Sequence, residues 1–321
     1  MFWAAVLLIA ALGAVVLQVL GPPAGPPVQA PAQEAHSPPP PASPAPAHAA
    51  DDRIPAPDPA LLEPSKAFPP AMLPHVAADG RMARLFYARP FDRTDKRPRI
   101  ALIVAGLGMS DADSRAALDS LPGPVSLAFS PYAGNPDPLL DLARARGHET
   151  LVSIPMEPQG YPLNDAGSRS LLTGVEPAKN RVNLEWALSR IQGYVGATGA
   201  FEGMRGERFA DQGSLLAPVL QELGRRGLLY VDARPGRTGP PLTGAPNRSV
   251  DIVVDDPPAR AEIEGKLAAL ERLAREKGSA IGLAGPLRPV TVERIAAWTK
   301  SLEEKGIALA PVSALVEGPS K

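Results

Sequence analysis

From residue 99 onward the chain repeats one pattern: a short apolar run, a turn, a stretch with apolar residues every three or four positions, and another apolar run. Such alternation predicts parallel strands joined by crossover helices. The runs fall at 100–104, 125–129, 150–154, 194–198, 228–231, 252–254, 280–283 and 307–310. Most lack polar alternation, as strands covered on both faces do. Between them, Asn135 and Pro136 read as the cap and first residue of a helix through Leu139, Leu140 and Ala143 that Gly147 closes. Asp211 reads as the cap of a helix through Leu216, Val219 and Leu223, ended by Gly227. Asp256, Pro257 and Pro258 open the longest helix, whose Ile263, Leu267, Leu270 and Ala274 keep the helical period before Gly278, and Thr291 opens the last, through Ile295 and Leu302 to Gly306. Seven or eight such units suit an open doubly wound sheet or a closed barrel equally well. A dinucleotide fingerprint is missing, because Gly106-Leu107-Gly108 lacks the third glycine and no acid ends the next strand.

The amino-terminal part follows different rules. Residues 2–20 read FWAAVLLIAALGAVVLQVL without a charge, nearly the length that spans a bilayer as a helix. The small residues around Val28-Gln29-Ala30 lie far downstream for a cleavage site, so an uncleaved transmembrane anchor at 1–20 is expected rather than a signal peptide. Residues 21–75 hold 18 of the 40 prolines, with few large apolar side chains to offset the entropy of ordering. Residues 21–96 are therefore expected to be a Pro/Ala-rich disordered linker, and 97–318 the single folded domain.

Charge and composition narrow the chemistry. Acids and bases are interspersed and the formal net charge is -1, so nucleic acid is not an expected partner. There is no cysteine, and of the four histidines only His148 belongs to the folded region. A catalytic zinc site usually takes two or three imidazoles, so no metal and no other cofactor is expected.

In parallel strand–helix folds ligands are met at the carboxyl ends of the strands. That rule selects Tyr132 and Ser130 after the second predicted strand, Met156, Glu157 and Gln159 after the third, and Glu202 and Arg205 after the fourth. It adds Asp232 and Arg234 after the fifth and Arg288 after the seventh. Glu157, fixed between Met156 and Pro158, is the first choice for general-base work, with an ion pair to Arg205 or Arg234 as the competing role. Asp232 would complete an acid–base couple for metal-free glycoside hydrolysis if the two carboxylates stood about 5 to 9.5 Å apart. Tyr132 and Tyr161 offer stacking faces, the latter in a long loop from 155 to 177 with the length of a lid. Trp186 sits at core positions of a helix, and His148 lies at the opposite end of the sheet, where its ring is expected to bond backbone carbonyls. Asp255 and Asp256 read as caps before they read as ligands for magnesium or calcium. No GxSxG elbow with a partner histidine is present for serine chemistry.

Several stretches resemble one known family: Leu121-Pro122-Gly123-Pro124-Val125-Ser126-Leu127-Ala128-Phe129 with Pro131-Tyr132, then Gly147-His148-Glu149, Pro155-Met156-Glu157-Pro158, Arg226-Gly227-Leu228-Leu229-Tyr230-Val231-Asp232 and Pro311-Val312-Ser313-Ala314-Leu315. In order and spacing they are similar to the divergent polysaccharide deacetylases. The resemblance implies a distorted (β/α)7–8 barrel, an origin in the bacterial periplasm, and kinship with enzymes that remove N-acetyl groups from glycans with a metal-activated water. The departures are specific. Members that keep a metal end the first strand in paired aspartates, whereas here it ends Val104-Ala105-Gly106-Leu107-Gly108. Their NHMGS segment corresponds to Phe201-Glu202-Gly203-Met204-Arg205-Gly206, and their IGHP segment to Leu283-Ala284-Gly285-Pro286. Losing an aspartate and two histidines removes the device that acidifies water. The chain is thus expected to be a metal-less, catalytically impaired member, anchored in the inner membrane with its domain in the periplasm, or secreted if the amino-terminal segment is cleaved as a signal. Its expected partner is cell-envelope polysaccharide, a peptidoglycan fragment or an envelope protein; the alternatives are a hydrolase working through Glu157 and Asp232, or a protein-interaction module.

Overall fold

The computed structural model describes residues 52–237 and 241–316. The expected anchor at 1–20 and the linker as far as residue 51 lie outside the described residues. Among those described, no helix is long and apolar enough to cross a membrane.

The strands are β1 (Leu62–Pro64), β2 (Met72–Pro74), β3 (Arg99–Leu107), β4 (Ser126–Phe129), β5 (Thr150–Ser153), β6 (Gly196–Thr198), β7 (Leu229–Asp232), β8 (Asn247–Ser249), β9 (Ile252–Val253), β10 (Ser279–Ala284) and β11 (Ala308–Leu309). The helices are α1 (Ala83–Phe86), α2 (Asp111–Ser120), α3 (Asp137–Ala145), α4 (Pro177–Leu188), α5 (Glu207–Ala210), α6 (Gly213–Arg225), α7 (Arg260–Lys277), α8 (Pro289–Thr299) and α9 (Val312–Leu315). Nine strands form one parallel sheet in the order β8-β7-β6-β5-β4-β3-β10-β9, with β11 also on β3. All eight strands expected from the pattern are present. β8 is an addition, too short and polar to stand out in sequence.

β3 is the axis of the sheet. Eight of its nine residues are buried, because β10 lies along one edge from Arg99 to Val104 while β11 and β4 share the other edge in succession. Between Ala105 and Leu107 the register shifts around Gly106, whose φ of 93° only glycine adopts readily. β8 and β9 are the two outer strands of the sheet, yet only Val250 and Asp251 separate them in the chain. The sheet must therefore curl until its edges meet. The seam is stitched from both sides: Val250 N–H donates to Asp232 O on β7 at 2.9 Å, and Asp251 N–H to Ile281 O on β10 at 2.8 Å. This is the α/β architecture expected from the resemblance.

The helices cover the sheet with the apolar faces read from sequence; on α7, Ile263, Leu267, Leu270 and Ala274 are buried and Gly278 ends the helix with φ 80°. The starts differ from expectation. α3 begins after Pro136 without a side-chain cap, so Asn135 does not cap it. α6 begins after Gln212, and Asp211 instead accepts from Arg234 at 2.7 Å. α7 begins after Ala259, and Asp256 pairs with Arg205 at 3.3 Å. α8 begins at Pro289, while the buried Thr291 hydroxyl donates to Asp255. In each case a tertiary partner, or proline at the first turn, replaces the local cap.

A larger correction concerns residues 52–96, expected as linker. Ile54, Leu61, Leu73, Ala77, Ala83 and Tyr87 are all buried in the same core as the sheet. The segment crosses the amino-terminal end of the sheet: Arg84 N–H donates to Gly227 O just before β7, the Arg89 guanidinium to Gly147 O just before β5, and Ile54 N–H to Arg144 O. The prolines here stiffen a strap that has apolar contacts to make.

Candidate functional site

The carboxyl ends of β3, β6 and β10 converge on one point, where Gly106, Glu202 and Pro286 come together. A Cβ placed on Gly106 would stand 3.1 Å from Leu287 N, 3.3 Å from Pro286 Cα and 3.5 Å from a carboxylate oxygen of Glu202. A Cβ on Gly285 would meet Ala105 at 3.0 to 3.2 Å, and Gly285 has φ 146°. Neither position accepts a longer side chain without moving backbone. Backbone atoms of Pro286, Leu287 and Ala105 thus stand close to where side chains at these two positions would begin.

Glu202 and Gly203 are the two central residues of a tight turn in which Phe201 and Met204 exchange both backbone hydrogen bonds, at 2.9 and 2.7 Å. Both central residues have positive φ, 45° for Glu202 and 82° for Gly203. Turns of this kind favour Asn-Gly, and Glu202 is the one residue other than glycine with positive φ among those described. Its Oε1 is shielded from solvent with no hydrogen-bond partner. Burial raises its pKa above the ordinary carboxylate value, with the Arg288 charge pulling the other way.

Around Glu202 the mouth is built by charged and aromatic side chains. Arg205 spans it, pairing with Glu207 at 3.1 Å and Asp256 at 3.3 Å. Tyr132 is half-buried, its ring 4.9 Å from Trp186 and 5.6 Å from Phe201, and its hydroxyl accepts from Arg169 N–H. Gln159 is exposed at the start of the long loop. Asp255 lies beneath, both oxygens accepting from Gly285 N–H at 3.0 to 3.1 Å and one from Thr291, so it fixes the 285–286 backbone rather than capping α7. Burial raises its pKa.

The two acids favoured from sequence are elsewhere engaged. Glu157 is 2% exposed; one oxygen accepts from Thr173 N–H at 2.5 Å and the other pairs with Arg208 at 2.9 Å. The ion pair is of the kind anticipated, with Arg208 in place of Arg205 or Arg234. Asp232 is fully buried and accepts from the Arg234 side chain and N–H, with Arg237 at 3.7 Å. Arg234 is 9% exposed and also held by Asp211, and Met156 is 1% exposed in the core. Of the expected ligand-contacting residues, Tyr132, Glu202 and Arg205 lie around the mouth; Gln159 is tied to it through its backbone N–H, 3.5 Å from a Glu207 carboxylate oxygen, and Met156 and Arg234 are buried. His148 is where sequence placed it, its Nδ1 2.8 Å from Val125 O at the far end of the sheet. Glu202, selected from sequence by its place after a strand, is held by a tight turn that needs positive φ at both central residues, which only Gly203 of the pair signals.

Among the described residues no three of His, Cys, Asp and Glu stand together as a metal-binding group. Asp232 and Asp255 are committed to arginine and backbone donors, and the space beside Gly106 and Gly285 is filled. The residues present do not fit the hydrolytic metal of the deacetylases.

A curled parallel sheet covered by helices, with polar side chains at the strand carboxyl ends, defines an α/β protein. The profile of the divergent polysaccharide deacetylases matches residues 102–316, and the chain belongs to that family. An uncharacterized protein of Agrobacterium tumefaciens C58 with a crystal structure is 35% identical, with a TM-score of 0.71 over 77% of this chain and 100% of that one. An uncharacterized protein of Haemophilus influenzae is 26% identical over 213 residues, 64% of this chain and 72% of the relative.

Proposed function

We propose that this chain binds cell-envelope glycan at the mouth formed by Tyr132, Gln159, Glu202, Arg205 and Arg288, and does so without a catalytic metal. The observation that supports the reading is the meeting of Gly106, Glu202 and Gly285 at the carboxyl ends of β3, β6 and β10, where a Cβ on either glycine would come within 3.5 Å of neighbouring atoms. The family relationship supports a carbohydrate ligand, and half-buried Tyr132 beside hydrogen-bonding Glu202, Arg205 and Gln159 is chemistry that suits sugar rings and hydroxyls. The apolar segment at 2–20 supports a membrane tether with the domain at the envelope face. Hydrolysis through Glu157 and Asp232 has no support, since both carboxylates are buried in ion pairs. Calorimetric titration with chitotetraose and with muropeptides tests the proposal. Saturable heat with either, undiminished after dialysis against a chelator, is expected; no heat with any envelope glycan would overturn it.

A further inference from the structure

Two guanidinium groups stack on Trp186 of α4: Arg169 lies 5.8 Å and Arg190 5.7 Å from its ring centre. Arg169 also lies 5.5 Å from the ring of Phe68 in the strap, so the strap, the loop from 155 to 177 and α4 meet around one charge. Both arginines are held in place: Arg169 N–H donates to the Tyr132 hydroxyl at 3.0 Å, and Arg190 Nε to Pro131 O at 3.1 Å. Stacking engages the flat face of a guanidinium and leaves the N–H groups in its plane to donate. Among the described residues, the Arg169 side chain has no hydrogen-bond acceptor and neither arginine has a carboxylate partner. The acids nearest in sequence are engaged: Glu185 accepts from Ser65 Oγ at 2.7 Å and Ala67 N–H at 3.1 Å, and Asp165 from Gly167 N–H at 2.9 Å. Arg144, Arg146, Arg205 and Arg208, by contrast, each pair with an acid. Two cations sharing one ring without a counter-charge repel each other, and a bound anion relieves that repulsion.

We propose that Arg169 and Arg190 form an anion site that takes a phosphate group, as inorganic phosphate or a phosphomonoester. Charge selects the class: two guanidinium groups match the near-double charge of a phosphomonoester at neutral pH, and its three terminal oxygens offer more acceptors to the fork of Arg169 than a carboxylate does. The fork is pre-organised, because rings on two separate elements hold its plane and little side-chain freedom is left to lose on binding. Arg190 supplies the second charge. The site adjoins the mouth through Tyr132, whose ring lies 4.9 Å from Trp186, but it does not depend on the glycan reading.

The test titrates the full-length chain at neutral pH and low salt with inorganic phosphate, glycerol 3-phosphate and dihexanoyl phosphatidic acid, in wild type, Arg169→Gln, Arg169→Lys, Arg190→Gln and Arg181→Gln. Arg181 is an exposed arginine of the same helix as Trp186, outside the ring cluster, and controls for charge alone. Saturable phosphate binding by wild type and Arg181→Gln is expected. It should be at least about tenfold weaker in Arg169→Gln and weaker in Arg190→Gln, with Arg169→Lys restoring part of the loss because it returns the charge without the fork. Tighter binding of dihexanoyl phosphatidic acid than of glycerol 3-phosphate would assign the phosphate to a lipid headgroup; equal affinities would assign it to a soluble phosphomonoester. No saturable binding of any of the three by wild type would overturn the inference, as would equal losses in Arg181→Gln and Arg169→Gln. A lower Tm in Arg169→Gln with phosphate affinity kept would overturn it too, by showing that this arginine only rivets the strap to α4.

Discussion

Replacing Asp232 by asparagine would leave Arg234 buried beside a neutral amide. Arg234 donates to Asp232 through its side chain and its backbone N–H, and both side chains are nearly enclosed. Removing one charge of a buried pair costs about 3–5 kcal/mol. Glu157→Gln loses only the attraction of Arg208, whose side chain is 51% exposed, and keeps an acceptor for Thr173 N–H, so a loss of about 1 kcal/mol is expected. Urea unfolding of the two variants should show this order. His148 adds a pH dependence. Burial holds its pKa at about 4, against 6.5 when exposed, so the unfolded chain takes up the proton first as pH falls. Stability should be unaffected by this residue above about pH 6.5 and decline by up to about 3 kcal/mol toward pH 4. His148→Gln should lose less of its Tm than wild type between pH 7 and 5; parallel declines would show that the ring does not titrate as its burial requires. At this scale the sequence revealed where acids stand along strands, as with Glu157 and Asp232. It did not reveal that Arg208 and Arg234 consume them, because those partners are fixed by tertiary geometry.

Among the elements, the loop from 155 to 177 has the length of a lid but is fastened at its base. Met156 bridges to Leu171, Glu157 N–H donates to Leu171 O, and the Asn180 side chain both donates to Leu172 O and accepts from Leu172 N–H. Only the tip projects, with Leu163 96% exposed. Asn180→Ala should accelerate amide hydrogen exchange at Leu172 and Thr173 by freeing that base, without changing exchange in β3. Exchange at Leu172 as slow as in wild type would show that Asn180 does not hold the loop. The strands were legible because burial on both faces leaves uninterrupted apolar runs, as in β3. Helix starts were less so: Asp211, Asp256 and Thr291 look like caps locally, yet each has a partner distant in sequence that binds it instead.

For the molecule as a whole, the domain begins earlier than composition implies. The strap at 52–96 buries six apolar side chains, and Arg226 of the main body bonds both Glu63 and Pro74 O within it. A chain starting at residue 97 should expose that surface and aggregate or unfold well below the Tm of one starting at residue 52. Equal Tm values would return the strap to the status of linker. Proline count misled here because it speaks to backbone stiffness, whereas Leu61, Leu73 and Tyr87 decide where the stiff segment lies down. The eight strand–helix units gave the fold class; the closure of the sheet at Val250 and Asp251 depends on a seam too short to leave a periodic signal.

The absence of a hydrolytic metal is most directly tested by the zinc content of the full-length chain after equilibration with excess zinc and removal of unbound ion. The account predicts far less than one zinc per chain, with no difference between wild type and Glu202→Gln. One zinc per chain, released when Glu202 or Asp255 is replaced, would contradict it.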